Sequence, residues 1–187
     1  MRVISGKFKY KPLFSPDGNS VRPTTDRIKE TIFNILSSRG FVGNVTVLDL
    51  FSGSGALGIE SLSRGAEKVI FIDKSKDSFN LTKKNLEFVG AEKDSYEIYN
   101  VDYEFALKKL KSKHFDLIFV DPPYALRIEN KILDLIKKFD VLSENGLIMI
   151  EHDAKNVFKD NDFDIDCRKC GSMSISFLTY KKEEADE

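Results

Sequence analysis

The chain is short of metal-binding and redox residues, with two cysteines and two histidines among 187 residues. The cysteines form one pair, Cys167-x-x-Cys170, which could be redox-active or half of a zinc site. No second pair exists, and neither His114 nor His152 lies at ligand spacing, so no metal is expected. The pair reads as reduced thiols in a turn between late strands. Long apolar runs are also missing. None approaches the roughly 20 residues of a membrane span, and the start MRVISGKFKYK lacks the apolar core of a secretory signal. The expected address is cytoplasmic, with no membrane partner. Internal repeats and low-complexity linkers are absent as well, and a net charge of −1 gives no support to a chain coated in nucleic acid.

What is present fits one domain, residues 1–187, with a full hydrophobic core: 41% apolar and 32% charged residues, neither suggesting disorder. Charge is uneven along the chain. Residues 1–30 hold seven Lys or Arg against three acids, and residues 151–187 hold six against ten. A basic arm on an acidic body can hold a polyanion at one end.

Residues 1–22 hold short alternating stretches around SPDGN, whose Asp17-Gly18 signals a hairpin. Pro23 biases Arg22 to an extended shape, and Thr24 or Thr25 offers an N-cap for a helix over about 25–38. That helix carries Ile28, Ile32, Ile35 and Leu36 on one stripe and ends at Gly40. Residues 23–187 then form the core of the domain, with 1–22 as an extension. Strands are predicted at 45–50, 68–73, 95–100, 115–120, 146–151, 163–168 and 173–180, and helices at 55–64, 76–89, 103–111 and 128–138. Such alternation implies an α/β domain, a mostly parallel sheet with helices on both faces. Ligands of such sheets lie beyond the carboxyl ends of the strands. That rule gathers Asp49, Asp73, Asn100–Asp102 and Asp121–Tyr124 along one edge.

The first strand runs into DLFSGSGALG, where Gly53, Gly55 and Gly58 give G-x-G-x-x-G opening a helix. Asp73 follows Gly53 by 20 residues, at the end of the next strand, where an acid accepts hydrogen bonds from ribose hydroxyls. It could alternatively cap the helix that follows. A ribosylated cofactor is expected, and both NAD and S-adenosylmethionine fit. Asp49 favours the second, because it could reach an amino group and would repel a pyrophosphate.

The run FDLIFV ends in Asp121-Pro122-Pro123-Tyr124. The prolines force the chain out of the sheet and leave carbonyls with no neighbouring N–H to pair with. An exocyclic base amine is a poor nucleophile because its lone pair is delocalised into the ring. The Asp121 carboxylate and the Pro122 carbonyl could grip its N–H bonds and push the lone pair outward. Tyr124 could stack on the base, a contact worth ~1–3 kcal/mol. Positioning supplies most of such an effect, with Asp121 taking proton density afterwards.

Three segments, VLDLFSGSGALGIESLSRGA (47–66), FVDPPY (119–124) and RPTTDRIKETIFNIL (22–36), together resemble the bacterial 16S ribosomal RNA guanine-N2 methyltransferases of the RsmD type. The likeness extends to the start, RVISGKFKYKPL, and to the late CGSMSISFLTY. The resemblance implies a class I S-adenosylmethionine-dependent methyltransferase, Rossmann-like, with a seven-stranded sheet preceded by a small hairpin and helix. It also implies methylation of one guanine N2 in small-subunit RNA within a partly assembled subunit. By motif, Asp49, Phe51, Gly53, Gly55 and Gly58 would line the cofactor, Asp73 would hold its ribose, and Asp102 would lie near the adenine. Asp121, Pro122, Pro123 and Tyr124 would receive the guanine.

No separate RNA-binding domain is visible. The basic start, with Phe8 and Tyr10 between Lys7, Lys9 and Lys11, is the available gripping surface, unless those aromatics pack the hairpin on the domain. Arg22, Thr24 and Arg27 match the family run; the helix N-terminus there could bind an RNA phosphate, or Arg22 could approach the active site, and Arg27 could equally pair with Glu30. A target inside folded RNA must be splayed out to meet the corner. A hairpin plus one domain suggests a monomer. Rival readings are a DNA methyltransferase at adenine N6 or cytosine N4, which the short chain without a target-recognition domain disfavours, and a non-catalytic assembly factor, which the intact corner disfavours. An NAD-dependent oxidoreductase would leave the corner unexplained.

Overall fold

Period-2 apolar runs between amphipathic stretches produce, among the described residues, seven strands and five α-helices. A computed structural model gives the fold and describes residues 1–16, 26–123, 126–156 and 158–182. The Asp17-Gly18 turn, Arg22, Thr24 and Tyr124 lie outside the described residues. In chain order the elements are α1 (Asp26–Ser38), β1 (Thr46–Asp49), α2 (Ala56–Ser63), β2 (Lys68–Ile72), α3 (Lys76–Val89), β3 (Tyr96–Tyr99), α4 (Tyr103–Lys109), β4 (Phe115–Val120), α5 (Glu129–Phe139), β5 (Leu142–Asp153), β6 (Phe163–Cys170) and β7 (Met173–Tyr180).

The strands form one sheet in the order β3-β2-β1-β4-β5-β7-β6. The first five are parallel, and β7 runs antiparallel to β5 and to β6. This is the seven-stranded, mostly parallel sheet expected from the resemblance. β5 starts earlier than the predicted 146–151. Its Leu142 pairs with Phe115 and its Leu147 with Leu117, so the intervening residues bulge out before regular pairing resumes.

Alternation along the strands splits the core in two. One face carries Val47, Phe71, Phe119, Met149 and Ile175 against α1, α2, α3 and the amino-terminal arm. The other carries Leu48, Ile70, Ile118 and Ile150 against α4 and α5. Each layer alone would leave an apolar sheet face in water, at roughly 25 cal/mol per Å².

The arm turns back on itself through residues 5–10, with an antiparallel bridge between Arg2 and Pro12. Gly6 (φ 83) and Tyr10 (φ 71) take the left-handed backbone there, and a Cβ on Gly6 would overlap the Ser63 carbonyl. The cysteines, both free thiols, belong to β6 and not to a turn, because β6 runs on to Cys170 through its full pairing with β7. No helix among the described residues is long and apolar enough to cross a membrane.

Candidate active site

The glycine loop leaves β1 tied to both neighbouring strands. The Leu50 N–H donates to the Phe119 carbonyl (3.1 Å) and the Ser52 N–H to the Ile72 carbonyl (3.0 Å). The three glycines then do different work. Gly53 (φ 55) has open space where a Cβ would stand, which leaves its backbone approachable by a ligand. At Gly55 (φ 78) a Cβ would come 3.0 Å from the Thr82 methyl. At Gly58 it would overlap the Phe71 ring, so this glycine lets α2 lie close on β2.

Asp73 engages the loop directly: one oxygen accepts the Gly53 N–H (2.9 Å) and the other the Ser75 N–H (2.8 Å). It does not cap α3, because Ser75 is the N-cap and accepts the Ser78 N–H. The Asn100 amide donates to the carbonyls of Asp73 and Lys74, both at 2.9 Å, pinning the exit of β2. Asp102 is exposed and caps α4 by accepting the Glu104 N–H (2.8 Å). Phe51 lies against Tyr103, ring centres 5.4 Å apart, beside the loop.

Two wholly buried residues of α3 hold the loop from behind. The Thr82 hydroxyl donates to the Gly53 carbonyl (3.0 Å). The Asn85 amide donates to the carbonyls of Ser54 (2.8 Å) and Phe14 (3.0 Å), and its oxygen accepts the Phe14 N–H (2.8 Å). One side chain therefore ties the arm to the glycine loop. Sequence reasoning passed over both residues; the signal was a polar pair at i,i+3 in line with Leu86 and Val89.

A row of acids lies at the carboxyl ends of the strands. In spatial order Asp73 follows β2, Asp49 ends β1, Asp121 follows β4 and Glu151 lies near the end of β5; they share the parity of Phe71, Val47, Phe119 and Met149, so one sheet face carries all four. Burial raises the Asp49 carboxyl to about 7, against a downward pull from the Gly58 N–H it accepts (3.3 Å) and helped upward by the nearby Asp73 charge. Burial, then Glu151, then Asp49 hold the Asp121 carboxyl well above the usual range. No lysine or arginine among the described residues lies within ion-pair distance of Asp49, Asp73 or Asp121. At the corner Pro122 is buried and Pro123 exposed. The Pro123 carbonyl is taken up by the Leu126 N–H (3.0 Å), whereas the Pro122 carbonyl accepts no hydrogen bond among the described residues.

Comparison with known proteins matches a family model, Conserved hypothetical protein 95, over residues 1–179. The Haemophilus influenzae protein named Ribosomal RNA small subunit methyltransferase D is 35% identical over 152 residues, 81% of this chain and 78% of that one. Its Escherichia coli K12 namesake is 32% identical over 156 residues, 83% and 76%. The chain belongs to the RsmD-type family. Among solved structures, yhhF of Escherichia coli superposes with a TM-score of 0.86 at 28% identity, covering 98% of this chain and 99% of that one. The RsmD-type sheet is thus that of a class I methyltransferase.

The arm of this RsmD-type chain is bolted down by charge. Glu60 of α2, wholly buried, accepts the N–H groups of Ile4 (2.8 Å) and Ser5 (3.0 Å), pairs with Arg64 (2.8 Å), and meets the buried Lys29 ammonium of α1 at 3.3 Å. Lys29 also donates to the Arg2 carbonyl (2.5 Å), and burial lowers its pKa despite Glu60. Of the three arm lysines, Lys7 pairs with Glu92 (3.3 Å) and Lys11 donates to the Val89 carbonyl at the end of α3 (2.8 Å). Lys9 lies over the exposed Tyr10 ring (4.8 Å), while Phe8 is core. Arg27 is exposed and makes no ion pair with Glu30.

Proposed function

We propose that this chain methylates the exocyclic N2 amine of one guanine in 16S ribosomal RNA, using S-adenosylmethionine, with a partly assembled small subunit as substrate. The observation that carries the reading is the row of carboxylates at the strand ends with no cation at Asp49, Asp73 or Asp121 among the described residues. A buried acid held near neutrality by desolvation is relieved by a cationic ligand and penalised by a pyrophosphate. S-adenosylmethionine fits, since it carries ammonium and sulfonium charges, and when bound it supplies an electrophilic methyl group. Asp49 would hold the ammonium end. Gly53 and Gly55, the latter backed by Thr82, would form the floor, with Gly58 setting the height of α2. Asp73 would take the ribose hydroxyls, and Phe51 and Asp102 would flank the adenine.

Asp121 and the Pro122 carbonyl then act as acceptors for the target N–H bonds, held by a corner that Pro122 buries and the turn through Pro123 stiffens. Tyr124 would stack on the guanine. Lys9, Arg22, Thr24 and Arg27 would meet phosphates, with Lys7 and Lys11 adding charge from their tethered positions. The names of the relatives support ribosomal RNA as substrate. A single domain acting as a monomer is part of the reading.

Labelled S-adenosylmethionine, offered with naked small-subunit RNA or with partly assembled subunits, tests this. Label on one guanine N2, richest in the assembled particle, is expected. Label on DNA, or binding without transfer, would overturn it.

A further inference from the structure

We propose that Phe14, Phe88 and Lys84 form a stacking platform for one unpaired nucleotide of the RNA, other than the one that is methylated. The inference rests on the RNA-methylation reading above and adds a second contact to it, outside the reaction pocket.

The platform is built from the arm and the outer side of α3. Phe14 meets Phe88 edge to face, ring centres 5.1 Å apart and planes at 72°. The Lys84 ammonium stands 3.8 Å over the centre of the Phe14 ring. Lys84 and Phe88 are at i and i+4, so both project from the same side of α3. Leu86 and Val89, on the inner side, are buried, whereas Phe14 is 38% and Phe88 49% exposed. The fold holds Phe14 at the surface: Asn85 accepts its N–H (2.8 Å) and donates to its carbonyl (3.0 Å). A ring fixed in this way loses little further freedom when a partner settles on it.

Charge selects the partner. Lys84 makes no ion pair among the described residues. Lys11 of the arm donates to the Val89 carbonyl (2.8 Å), beside Phe88, and has no acid partner among them either. A cation therefore stands at each end of the ring pair. The neighbouring acids are already answered, Glu87 by Lys83 (3.9 Å) and Glu92 by Lys7 (3.3 Å), and Asp77 lies back in the first turn of α3. Two phenylalanine rings, at most about 250 Å² each, fall short of the roughly 800 Å² that each partner gives to a stable protein interface. A nucleotide matches both the size and the sign: its base lies on a ring while its phosphate meets an ammonium.

The platform is coupled to the reaction site through one side chain. Asn85 also donates to the Ser54 carbonyl of the glycine loop (2.8 Å), so platform and loop are fastened to the same turn of α3. A nucleotide gripped there anchors the strand while the target base is turned out of its stack.

Phe88→Trp tests the platform directly. The chain has no tryptophan of its own, so the new indole reports from this one place and keeps a stacking face. Single-stranded decaadenylate should quench its fluorescence, and heparin, which carries charge but no bases, should not. Phe14→Ala and Phe88→Ala should each weaken decaadenylate binding about fivefold or more. Lys84→Gln should lower the salt slope by about 0.7. Affinity for S-adenosylmethionine should stay unchanged in all of them. Absent quenching by decaadenylate, equal quenching by heparin, or alanine variants that bind as the wild type does each overturn the platform. A ring pair that only packs the arm on α3 would lower the melting temperature of the alanine variants and leave decaadenylate binding to the folded protein unmoved, which overturns it as well. A wild type that binds decaadenylate as described but methylates no RNA sinks the functional reading and leaves the platform standing. Normal methylation with an unmoved KM for RNA in Phe88→Ala does the reverse.

Discussion

Asp49→Asn is the sharpest perturbation of the site, and its effect on the unliganded protein follows from burial. Asp49 is 2% exposed, and its carboxyl is raised from 3.8 to about 7. Between those values the folded chain holds a proton that the unfolded chain has already lost, so stability falls as pH rises through the window and levels off above about 7. At about 1.4 kcal/mol per pH unit, ionising Asp49 in the fold costs on the order of 4 kcal/mol, of which about 2–3 kcal/mol falls between pH 5 and pH 8. Asparagine keeps the acceptor for the Gly58 N–H and removes the ionisation. Urea unfolding at the two pH values should show the wild type losing about 2–3 kcal/mol more than the variant. In thermal melts this is roughly 5–10 °C for a chain of this size. Saturating S-adenosylmethionine should restore the wild type at pH 8 far more than the variant. If the two proteins keep a constant difference across pH, Asp49 is not a buried, cation-seeking carboxyl and the electrostatic case for the cofactor fails.

Gly58→Ala should cost about 1–3 kcal/mol in urea unfolding, since its Cβ would overlap the Phe71 ring and force α2 off the sheet. Asn85→Ala strips three hydrogen bonds from Ser54 and Phe14 and should cost about 1–3 kcal/mol. Its cofactor affinity by calorimetry should fall further than that of an equally destabilised core variant. Glu60→Ala leaves Lys29 buried without its partner and should cost about 3–5 kcal/mol, with early proteolysis of residues 1–13 as the visible symptom. Lys9→Glu should weaken RNA binding and lower its salt slope by about 1, with cofactor affinity unchanged; an unchanged slope would remove Lys9 from the contact surface.

The strand-end residues were legible because their signals are local. A run of apolar residues stopped by two prolines locates Asp121, and the distance from Gly53 locates Asp73. The supporting contacts were not. Thr82 and Asn85 look like polar interruptions of a helix stripe until the fold places Gly53 and Ser54 behind them. Glu60 lies in ALGIESLS among small and apolar residues, and only folding brings Lys29 and the arm to it. The position of Asp102 was foreseen, but its observed contact is a helix cap, the ordinary work of an acid there. The turn at residues 5–10 was not legible because a tyrosine with φ 71 carries no signature in sequence. The extent of β6 was missed because Arg168 and Lys169, one on each face, interrupt the apolar alternation before Cys170.

The Glu60 cluster has a practical corollary for anyone trimming this protein. Cutting at the boundary suggested by the helix motif, near residue 23, would discard the peptide groups of Ile4 and Ser5 and the Arg2 carbonyl that share the cluster. An acid and a lysine would then face each other across a water-filled notch under the helix that starts at the glycine loop. The arm from Arg2 to Ser5 shares the buried cluster, so a version cut near residue 23 should fail as a whole instead of merely losing its grip on RNA.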